Sequence, residues 1–304
     1  MIRYELSQDT RTRTFDRRRT LLFSIAYRML GSVMEAEDIV QEAYLRWQRT
    51  EEEIRSPKAY LSTVVTRLSI DRLHSAQARR ERYVEPWLPE PLVTEEHSEV
   101  AEATVADETL SMAFLVLLES LNPVERAVFL LREVFDYDYA EISRIVGKTE
   151  ANCRQIAHRS RQAVAARRPR FESSREQQET MTRLFVEACA GGDMSGLLSL
   201  LSEDVIFYSD GGGKVVTARN PVYGPDRVAR LMLGLARKRL PGSEIRLTRI
   251  DGQPGIVGYS GDRPDSVFSL EVLGGRISTV RHVRNPDKLH ALPRLDATDR
   301  KEDK

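Results

Sequence analysis

Apolar residues recur at intervals of three and four along the first part of the chain, from Phe15 to about Ala78. The pattern is clearest in LLFSIAYRML, AEDIVQEAYLRW and KAYLSTVVTRLSIDRL, with Gly31 and Ser56-Pro57 between them. Apolar side chains at this spacing form one face of a helix, and Gly and Pro end helices. The pattern therefore predicts three or four helices joined by short connections.

The helical pattern is lost between Glu81 and Glu108, a stretch with three prolines and nine acidic residues against a single arginine, Arg82. Proline disfavours a packed helix, and the charge disfavours burial. We therefore expect an extended acidic linker, either a solvated tether or a docked segment. The apolar Trp87 and Leu88 of the motif WLPEPL favour docking, because a plain tether has little use for them.

Helical periodicity returns at Thr109 and continues to about Ala166. After one more helix, from about Glu176 to Ala190, the pattern changes to short strand-like runs: DVIFYS, KVVTA, EIRLTRI, GIVGYS, SVFSLEV and RISTVRHV. One helical stretch, PDRVARLMLGLARK, lies among them. Short runs bounded by Gly, Pro and Asp predict strands. The expected architecture is multidomain, with two all-α units followed by an α+β domain.

A chain of 304 residues suits about two domains of the usual size of ~100 to 200 residues. The shifts in composition predict the boundaries 1–80 and 109–168 for the helical units, 81–108 and 169–178 for linkers, 179–290 for the α+β domain and 291–304 for a disordered tail.

Charge and cysteine content exclude some classes of protein. Lys and Arg number 46, as do Asp and Glu, so any attraction to DNA or membranes must come from local segregation of charge. The two cysteines, Cys153 and Cys189, argue against a disulfide framework. We find neither a secretion signal nor an apolar run of the ~18 to 20 residues that span a membrane. These features predict a soluble cytoplasmic protein.

The segment from Tyr139 to Arg168 has the pattern of a helix-turn-helix. With Gly147 in the turn, Ile142 and Val146 of the first helix and Cys153 and Ile156 of the second fall where such a motif buries its core contacts. A threonine and a glutamate at the start of the second helix suit its positive end.

The second helix of this motif is strongly basic. Between Arg144 and Arg170 there are eight Lys or Arg and one acidic residue, Glu150. Asn, Gln and Arg can bond base edges in the major groove, while Lys148, Arg161 and Arg167 are better placed for phosphates. An ordinary amphipathic helix with a solvated face is the alternative; turn glycine, spacing and charge together argue against it. The candidate DNA-binding residues are Lys148, Thr149, Glu150, Asn152, Arg154, Gln155, His158, Arg159 and Arg161.

Several motifs resemble one family. LNPVERAVFLLREVFDYDYAEISRIVGKTEANCRQIAHRSR resembles the fourth, promoter-reading region of bacterial sigma factors, and AYRMLGSVMEAEDIVQEAYLRW with SPKAYLSTVVTRLSIDRL resembles their second region. No third region intervenes, as in the extracytoplasmic-function class. WLPEPL, DGGGK and NPDKL are similar to the subgroup that carries a C-terminal SnoaL-like (NTF2-like) domain, a cone of curved sheet with helices. The resemblance implies a promoter-specificity subunit without catalytic residues, metal or cofactor.

The resemblance implies that the acidic helix of region two binds the coiled coil of the polymerase β′ subunit, and that region four binds the β flap. Asp38 and Glu42 are four residues apart, so both project from one helix face toward a basic partner. The acidic residues could instead, or also, complement the helix dipole. The implied polymerase-binding residues are Glu35, Glu37, Asp38, Gln41 and Glu42.

The next loop and helix would read the downstream promoter element. Aromatic and basic side chains can stack on an extruded base and hold its backbone. The candidates are Trp47, Arg49, Arg55, Lys58, Arg67, Arg72, Arg79 and Arg80. A tryptophan three residues after Tyr44 on an amphipathic helix is equally compatible with a core position.

The run YSDGGGKVV raises the possibility of a phosphate-binding loop. A Walker loop needs GxxxxGK followed by Ser or Thr, whereas Val215 follows Lys214 here. We therefore predict a turn between two strands, with glycines at positive φ. The resemblance instead implies a regulatory role in cis, carried by Trp87, Leu88, Pro89, Asp210, Gly211, Gly212, Gly213, Lys214, Asn285, Pro286, Asp287, Lys288 and Leu289.

The leading hypothesis is a sigma factor that binds core RNA polymerase and promoter DNA, with no membrane partner; a separate anti-sigma factor is neither required nor excluded. A standalone, ligand-responsive DNA-binding regulator is a second hypothesis. A third is an enzyme that uses the SnoaL-like pocket, with Tyr208, Asp210, His282 and Asp287 as polar candidates, although they show neither paired carboxylates nor His-Asp spacing.

Overall fold

The computed structural model describes residues 8–51, 54–80, 86–94, 111–167, 173–238 and 242–295. These residues form two compact units. The first consists of 8–51, 54–80 and 114–167, and the second of 86–94, 111–113, 173–238 and 242–295. The described part of the acidic linker, 86–94, therefore belongs to the second unit.

The first unit begins with three helices, α1 (Gln8–Leu30), α2 (Val33–Arg49) and α3 (Pro57–Arg80). Gly31 ends α1 at a φ of 65°, a left-handed conformation that glycine adopts without strain. Ser32 then caps α2 by accepting a hydrogen bond from the Glu35 amide at 3.2 Å. The predicted helices are confirmed, but the first begins at Gln8 rather than near Phe15.

Four shorter helices follow: α4 (Met112–Leu118), whose residues 112–113 are counted with the second unit, α5 (Pro123–Glu133), α6 (Tyr139–Val146) and α7 (Glu150–Ala165). Capping boxes start α5, with Asn122 and Glu125, and α6, with Asp138 and Glu141.

The two groups of helices in the first unit pack against each other around buried polar contacts. Arg126 of α5 is buried and donates to the Met29 carbonyl at the end of α1 at 2.7 Å and to Glu119 at 2.8 Å. The hydroxyls of Ser62 on α3 and Tyr137 lie 2.6 Å apart. Burial raises the pKa of Tyr137, so the phenol stays protonated and can donate. Directional bonds thus fix how α1 and α3 meet α5 and α6.

The second unit is an α+β domain. Its elements are α8 (Arg175–Gly191), α9 (Met194–Leu200), β1 (Leu201–Asp210), β2 (Val222–Tyr223), α10 (Pro225–Arg237), β3 (Ser243–Ile250), β4 (Gln253–Ser260), β5 (Arg263–Leu273), β6 (Arg276–Val283) and α11 (Pro286–Leu289). The strand order is β2-β1-β6-β5-β4-β3. Only β1 and β6 pair in parallel; the other pairs are antiparallel. This is the SnoaL-like, or NTF2-like, curved sheet with helices that the resemblance implied.

One apolar core joins this sheet to its helices. Phe185 of α8 and Met232 of α10 pack with Phe207, Ile256 and Val280 from the strands. Burying so much apolar surface between helices and one sheet face is the main source of stability for this kind of layer. The sheet face that packs against the helices is therefore covered with apolar side chains.

Two predictions about the second unit are wrong. No strand forms at KVVTA, because the chain after Asp210 turns at Gly211–Lys214 and Val216 is exposed. The predicted disordered tail starts too early, since Leu292 and Leu295 are buried and the Leu295 amide donates to the Asp262 carbonyl. The rest of that tail, 296–304, lies outside the described residues.

His282 of β6 belongs to the core of the second unit. Its ring stacks on Phe268 with centroids 4.1 Å apart and an interplanar angle of 8°. Burial, with a smaller contribution from the nearby Arg284 charge, lowers the pKa of His282 to about 3. The imidazole is therefore neutral and acts as an aromatic core residue.

We predict that the domain loses stability in mild acid through His282. Between pH 6.5 and about 3 the unfolded chain binds a proton at this histidine and the folded chain does not. The contribution is therefore neutral above pH 6.5, and the free energy of unfolding falls below it by up to ~1.4 kcal/mol per pH unit. Urea titrations followed by the circular dichroism of the sheet, from pH 7.5 to 5, measure this slope. His282→Phe should flatten it relative to the wild type, whereas substitution of the exposed His74 should leave it unchanged.

Candidate nucleic-acid interface

The helix-turn-helix is built from α6 and α7. Gly147 ends α6 in the left-handed conformation, at φ 67° and ψ 34°, and its amide donates to the Ser143 carbonyl. Thr149 caps α7 by accepting from the Asn152 amide at 3.3 Å. These two caps explain why the chain turns between the helices at this point.

The core of this motif differs from the prediction by one residue. Ile142, Cys153 and Ile156 are buried as expected. On α6, however, Ile145 is buried in place of the predicted Val146. Val146 is only partly buried, although it packs against the same cluster. Cys153 is a core residue, and burial raises its pKa.

The predicted outward face of α7 is confirmed as exposed. Asn152, Arg154, Gln155, His158 and Arg159 are all solvent-exposed. Arg and amide side chains on one exposed helix face are suited to hydrogen bonds with base edges. DNA binding by these side chains remains a prediction.

Two arginines of this face are engaged within the protein. Arg154 donates to Glu150 at 2.8 Å along α7. Arg161 forms two hydrogen bonds with Glu133 of α5, at 2.6 and 3.2 Å, and the pKa of Arg161 is raised mainly by these bonds. A phosphate contact by Arg161 would have to compete with Glu133.

On α2, the exposed positions Met34, Asp38, Gln41 and Leu45 follow one another at helical spacing. Asp38, Gln41 and Leu45 also line a groove of about 660 Å³ between α2 and α3. Sequence reasoning missed the contribution of α3, because residues so far apart in the chain are joined only by packing. On α3 the groove is lined by Leu68, Asp71, Arg72 and Ser75.

The other acidic candidates of α2 form ion pairs with arginines of α1, α2 and α3. Glu35 pairs with Arg72 at 3.5 Å, Glu37 with Arg19 at 2.5 Å, and Glu42 with Arg46 at 2.8 Å. Exposed pairs of this kind contribute little stability, about 0 to 1 kcal/mol, and exchange partners at low cost. They therefore leave the α2 face available to a basic partner.

The structure corrects the prediction that Trp47 contacts promoter DNA. Its side chain is 1% exposed, its ring packs near Tyr60, and its indole N–H donates to the Arg11 carbonyl at 2.9 Å. A buried indole cannot stack on an extruded base, so the core interpretation of Trp47 is the correct one.

The basic residues of region two fall into three groups. Arg49 and Arg55 are exposed, and Arg72 lies in the α2–α3 groove. The side chains of Arg79 and Arg80 lie outside the described part of the structure. Arg67 and Lys58 form the third group, and both face the helix-turn-helix.

Arg67 donates to the Ile145 and Arg144 carbonyls at the end of α6, each at 2.9 Å. The Lys58 ammonium lies 4.9 Å from the centroid of the Tyr137 ring. An arginine that satisfies two helix-end carbonyls cannot bond a DNA phosphate with the same donors. A promoter contact by Arg67 would therefore have to use its remaining N–H donors or compete with these two carbonyls.

In the second unit, three motifs that are far apart in sequence meet at one buried carboxylate. Asp210 is fully buried and accepts from the Leu88 amide at 2.9 Å and from the Lys288 ammonium at 2.7 Å. The same ammonium donates to the Leu88 carbonyl at 2.5 Å and lies 4.4 Å from the centroid of the Trp87 ring. WLPEPL is thus docked on the domain.

The glycine turn and NPDKL form the other side of this site. The Arg284 and Asn285 amides donate to the Asp210 carbonyl at 2.8 and 3.0 Å, and the Gly212 amide donates to Asp210 Oδ1 at 3.1 Å. Gly212 has a φ of 66°, as predicted, and a Cβ there would lie 2.4 Å from the Asn285 side chain. Lys214 and Asp287 close the outside with an exposed ion pair at 2.6 Å.

The linker also adds a short extension to the sheet. Val93 forms an antiparallel bridge with Ile250, and the Thr94 amide donates to the Arg249 carbonyl at 3.0 Å. In the hairpin turn, the Asp251 amide donates to the Leu92 carbonyl at 2.8 Å, and the Leu92 amide donates to Asp251 Oδ1 at 3.3 Å. The sequence signals the Asp-Gly turn but not its role in docking.

The polar residues considered for catalysis do not form one constellation. His282 stacks in the core, Asp210 is paired with Lys288, and Asp287 is on the surface with Lys214. Among the described residues, no three His, Cys, Asp or Glu side chains are grouped so that they could hold a metal ion. None of the described helices combines the length and apolarity needed to cross a bilayer.

Comparison with known proteins identifies both helical regions. A model of sigma-70 region 2 matches residues 14–79, and a model of sigma-70 region 4 matches residues 111–164. The chain is 39% identical over 292 residues to the ECF RNA polymerase sigma factor SigJ of Mycobacterium tuberculosis (strain ATCC 25618 / H37Rv), covering 92% of this chain and 93% of SigJ.

A second relative and a solved structure agree with this match. The chain is 31% identical over 277 residues to the probable ECF RNA polymerase sigma factor SigI of M. tuberculosis (strain CDC 1551 / Oshkosh), covering 90% of this chain and 93% of SigI. The crystal structure of M. tuberculosis SigJ superposes with a TM-score of 0.73 at 36% identity, covering 91% of this chain and 97% of that one. These relatives do not favour the standalone regulator or the enzyme.

We predict that Asp210→Asn releases the linker from the domain. The substitution leaves the Lys288 ammonium buried without its counter-charge, a change that typically costs 3 to 5 kcal/mol. Hydrogen exchange at the Leu88, Leu92 and Thr94 amides, all of which donate to the domain, should become at least about tenfold faster.

Asp287→Asn is the matched control, because it removes an acid from the neighbouring exposed pair with Lys214, where about 0 to 1 kcal/mol is at stake. Exchange at the linker amides should stay near the wild-type rate. Equal exchange in both variants would contradict the role assigned to the buried pair.

Proposed function

Because the chain belongs to the extracytoplasmic-function sigma factors, we propose that it directs core RNA polymerase to specific promoters and that its SnoaL-like domain regulates this activity in cis. The observation that carries the first part is the order of the two sigma regions, the second of which presents the exposed basic face of α7. In this proposal the protein works in the cytoplasm, where core polymerase is found.

The exposed stripe of α2 is the proposed site for the β′ coiled coil. Asp38 and Gln41 offer polar groups between the apolar Met34 and Leu45, and the adjacent groove can accept side chains of a partner helix. Apolar contacts flanked by polar ones are typical of helix-in-groove recognition. Region four is proposed to bind the β flap and the upstream promoter element at the same time.

Docking of the acidic linker supports the regulatory part. An extended acidic peptide resembles nucleic acid in its charge, so a released linker can occupy a polymerase channel that otherwise accommodates nucleic acid. While Leu88 and Trp87 are held by Asp210 and Lys288, that segment is withheld. We therefore expect linker release to raise activity. This regulation needs no separate anti-sigma factor.

Base reading by α7 predicts two kinds of loss. Arg154→Ala and Gln155→Ala should each weaken recognition of the upstream element by ~1 to 3 kcal/mol, because each removes donors to base edges. Lys148→Ala should weaken binding to specific and scrambled DNA alike, because a phosphate contact carries no sequence information.

The measurement is run-off transcription by the full chain with purified core polymerase, on templates selected from random sequence and on scrambled versions of them. Transcripts that do not depend on the protein would reject the sigma-factor assignment. Equal losses on both templates for all three variants would remove only the claim of base reading.

Regulation by linker docking predicts that the two single substitutions Asp210→Asn and Lys288→Met raise run-off transcription. Each leaves one member of a buried ion pair without its partner. The double variant carries neither charge of the pair, so its linker should redock more readily than in either single variant and its activity should lie closer to wild type.

This double-variant cycle separates regulation from damage. If the singles lose activity in proportion to a loss of folding, measured by thermal unfolding of the same samples, linker docking is not the regulatory contact. Unchanged activity in both singles, with linker exchange accelerated, would contradict the proposal equally well.

A further inference from the structure

We propose that Tyr139 is a positioning residue for promoter recognition: its ring holds the Arg154 guanidinium in a fixed orientation, from which Arg154 selects a guanine in the upstream element. This inference rests on the proposed function, since it assigns a determinant of specificity to the DNA-reading face of α7.

Two contacts orient Arg154 on the exposed face of α7. Its guanidinium donates to Glu150 at 2.8 Å and lies over the Tyr139 ring at 5.2 Å from the centroid. Glu150 is one turn earlier on the same helix, whereas Tyr139 is the first residue of α6. The guanidinium is therefore held from two directions, by a carboxylate along α7 and by an aromatic face across the motif.

The Tyr139 ring is itself held in place. It is partly buried and packs against the core of the helix-turn-helix. The Arg132 guanidinium lies 5.3 Å from the same ring centroid and donates to the Tyr137 carbonyl at 2.9 Å. A cation within about 6 Å of an aromatic face is attracted to it. The platform under Arg154 is thus part of the folded core of α5 and α6.

A second contact fixes the distance between the platform and α7. Glu133 of α5 forms two hydrogen bonds with Arg161 of α7, and the Tyr139 hydroxyl adds a smaller contribution to the raised pKa of Arg161. Bidentate pairs of this type define geometry as well as energy. The Glu133–Arg161 pair therefore ties α7 to α5 on the side of the motif where Arg154 lies over the Tyr139 ring.

The chemistry of a held guanidinium defines the base that it reads. Two parallel donors of an arginine match O6 and N7 of guanine in the major groove, and a planar fork loses less freedom on binding when it is already oriented. A freely rotating arginine would contact phosphates and bases with little distinction. Orientation by Tyr139 and Glu150 thus favours a specific base contact for Arg154 over a general electrostatic one.

The test is the base preference of the holoenzyme, position by position. The full chain is combined with core polymerase, and a double-stranded DNA library randomised over the upstream element is selected by binding and sequenced. We expect wild type to enrich a guanine at one position that Arg154→Ala no longer enriches. Tyr139→Leu, which keeps an apolar contact with the core, should lower the guanine preference at that same position by about 3- to 10-fold.

Two further variants separate positioning from a merely structural role. Tyr139→Phe retains the ring and should retain the guanine preference within about twofold. In the Arg154→Ala background, Tyr139→Leu should have no further effect on base preference, because the arginine that it orients is absent. Preferences at the other positions, read by residues such as Gln155, should be unchanged in Tyr139→Leu.

The outcomes that overturn the inference are distinct from failure of the proposed function. If Tyr139→Leu weakens every position equally, or still acts in the Arg154→Ala background, Tyr139 is a structural residue only. If Arg154→Ala removes the guanine preference and Tyr139→Leu leaves it intact, the positioning role is wrong while base reading stands. If Arg154→Ala leaves the selected motif unchanged, base reading by Arg154 fails and the inference fails with it.

Discussion

The second unit depends on one buried charge pair. Asp210 is fully buried and Lys288 is 12% exposed, so each would be costly to bury without the other. The Asp210 carboxylate accepts from the Leu88 amide of the linker and from the Gly212 amide of the glycine turn, and Lys288 joins NPDKL to the same carboxylate. Because breaking a buried pair is costly, removing either charge is expected to weaken the contacts of all three segments.

These contacts give the proposed regulation in cis a physical mechanism. The backbone amides of the linker residues Leu88, Leu92 and Thr94 donate hydrogen bonds to the domain. Val93 of the linker forms a β-bridge with the sheet. In the proposed regulation, a segment held by a few directional bonds and one buried ion pair is either docked, as in this structure, or released. Anything that changes the Asp210–Lys288 pair shifts the balance between them.

The first unit shows the same use of polar contacts at a buried surface. Arg126, Tyr137 and Arg67 bond to carbonyls or hydroxyls of helices distant in the chain. Arg67 and Lys58, two candidates for promoter contact, are engaged there. The side chains that take part in the packing of the unit are thus also candidates for promoter contact, so the two roles compete for their donors.

The sequence alone determined the elements and the chemistry that local spacing encodes. Helical periodicity, the Gly147 turn and the basic face of α7 were predictable because neighbours three and four apart share a helix face. The resemblance to sigma factors added their order and the SnoaL-like domain. Glycine at positive φ near Gly212 was predictable because glycine has no Cβ and adopts this conformation without strain.

Only the tertiary structure decided the contacts between distant segments. It placed Trp47 in the core rather than on the surface, buried Ile145 instead of Val146, and joined Asp210, Leu88 and Lys288. It also set Arg154 on the Tyr139 ring. The physical reason is that burial and pairing depend on what the rest of the chain brings to a side chain, whereas periodicity reports only the face on which that side chain lies.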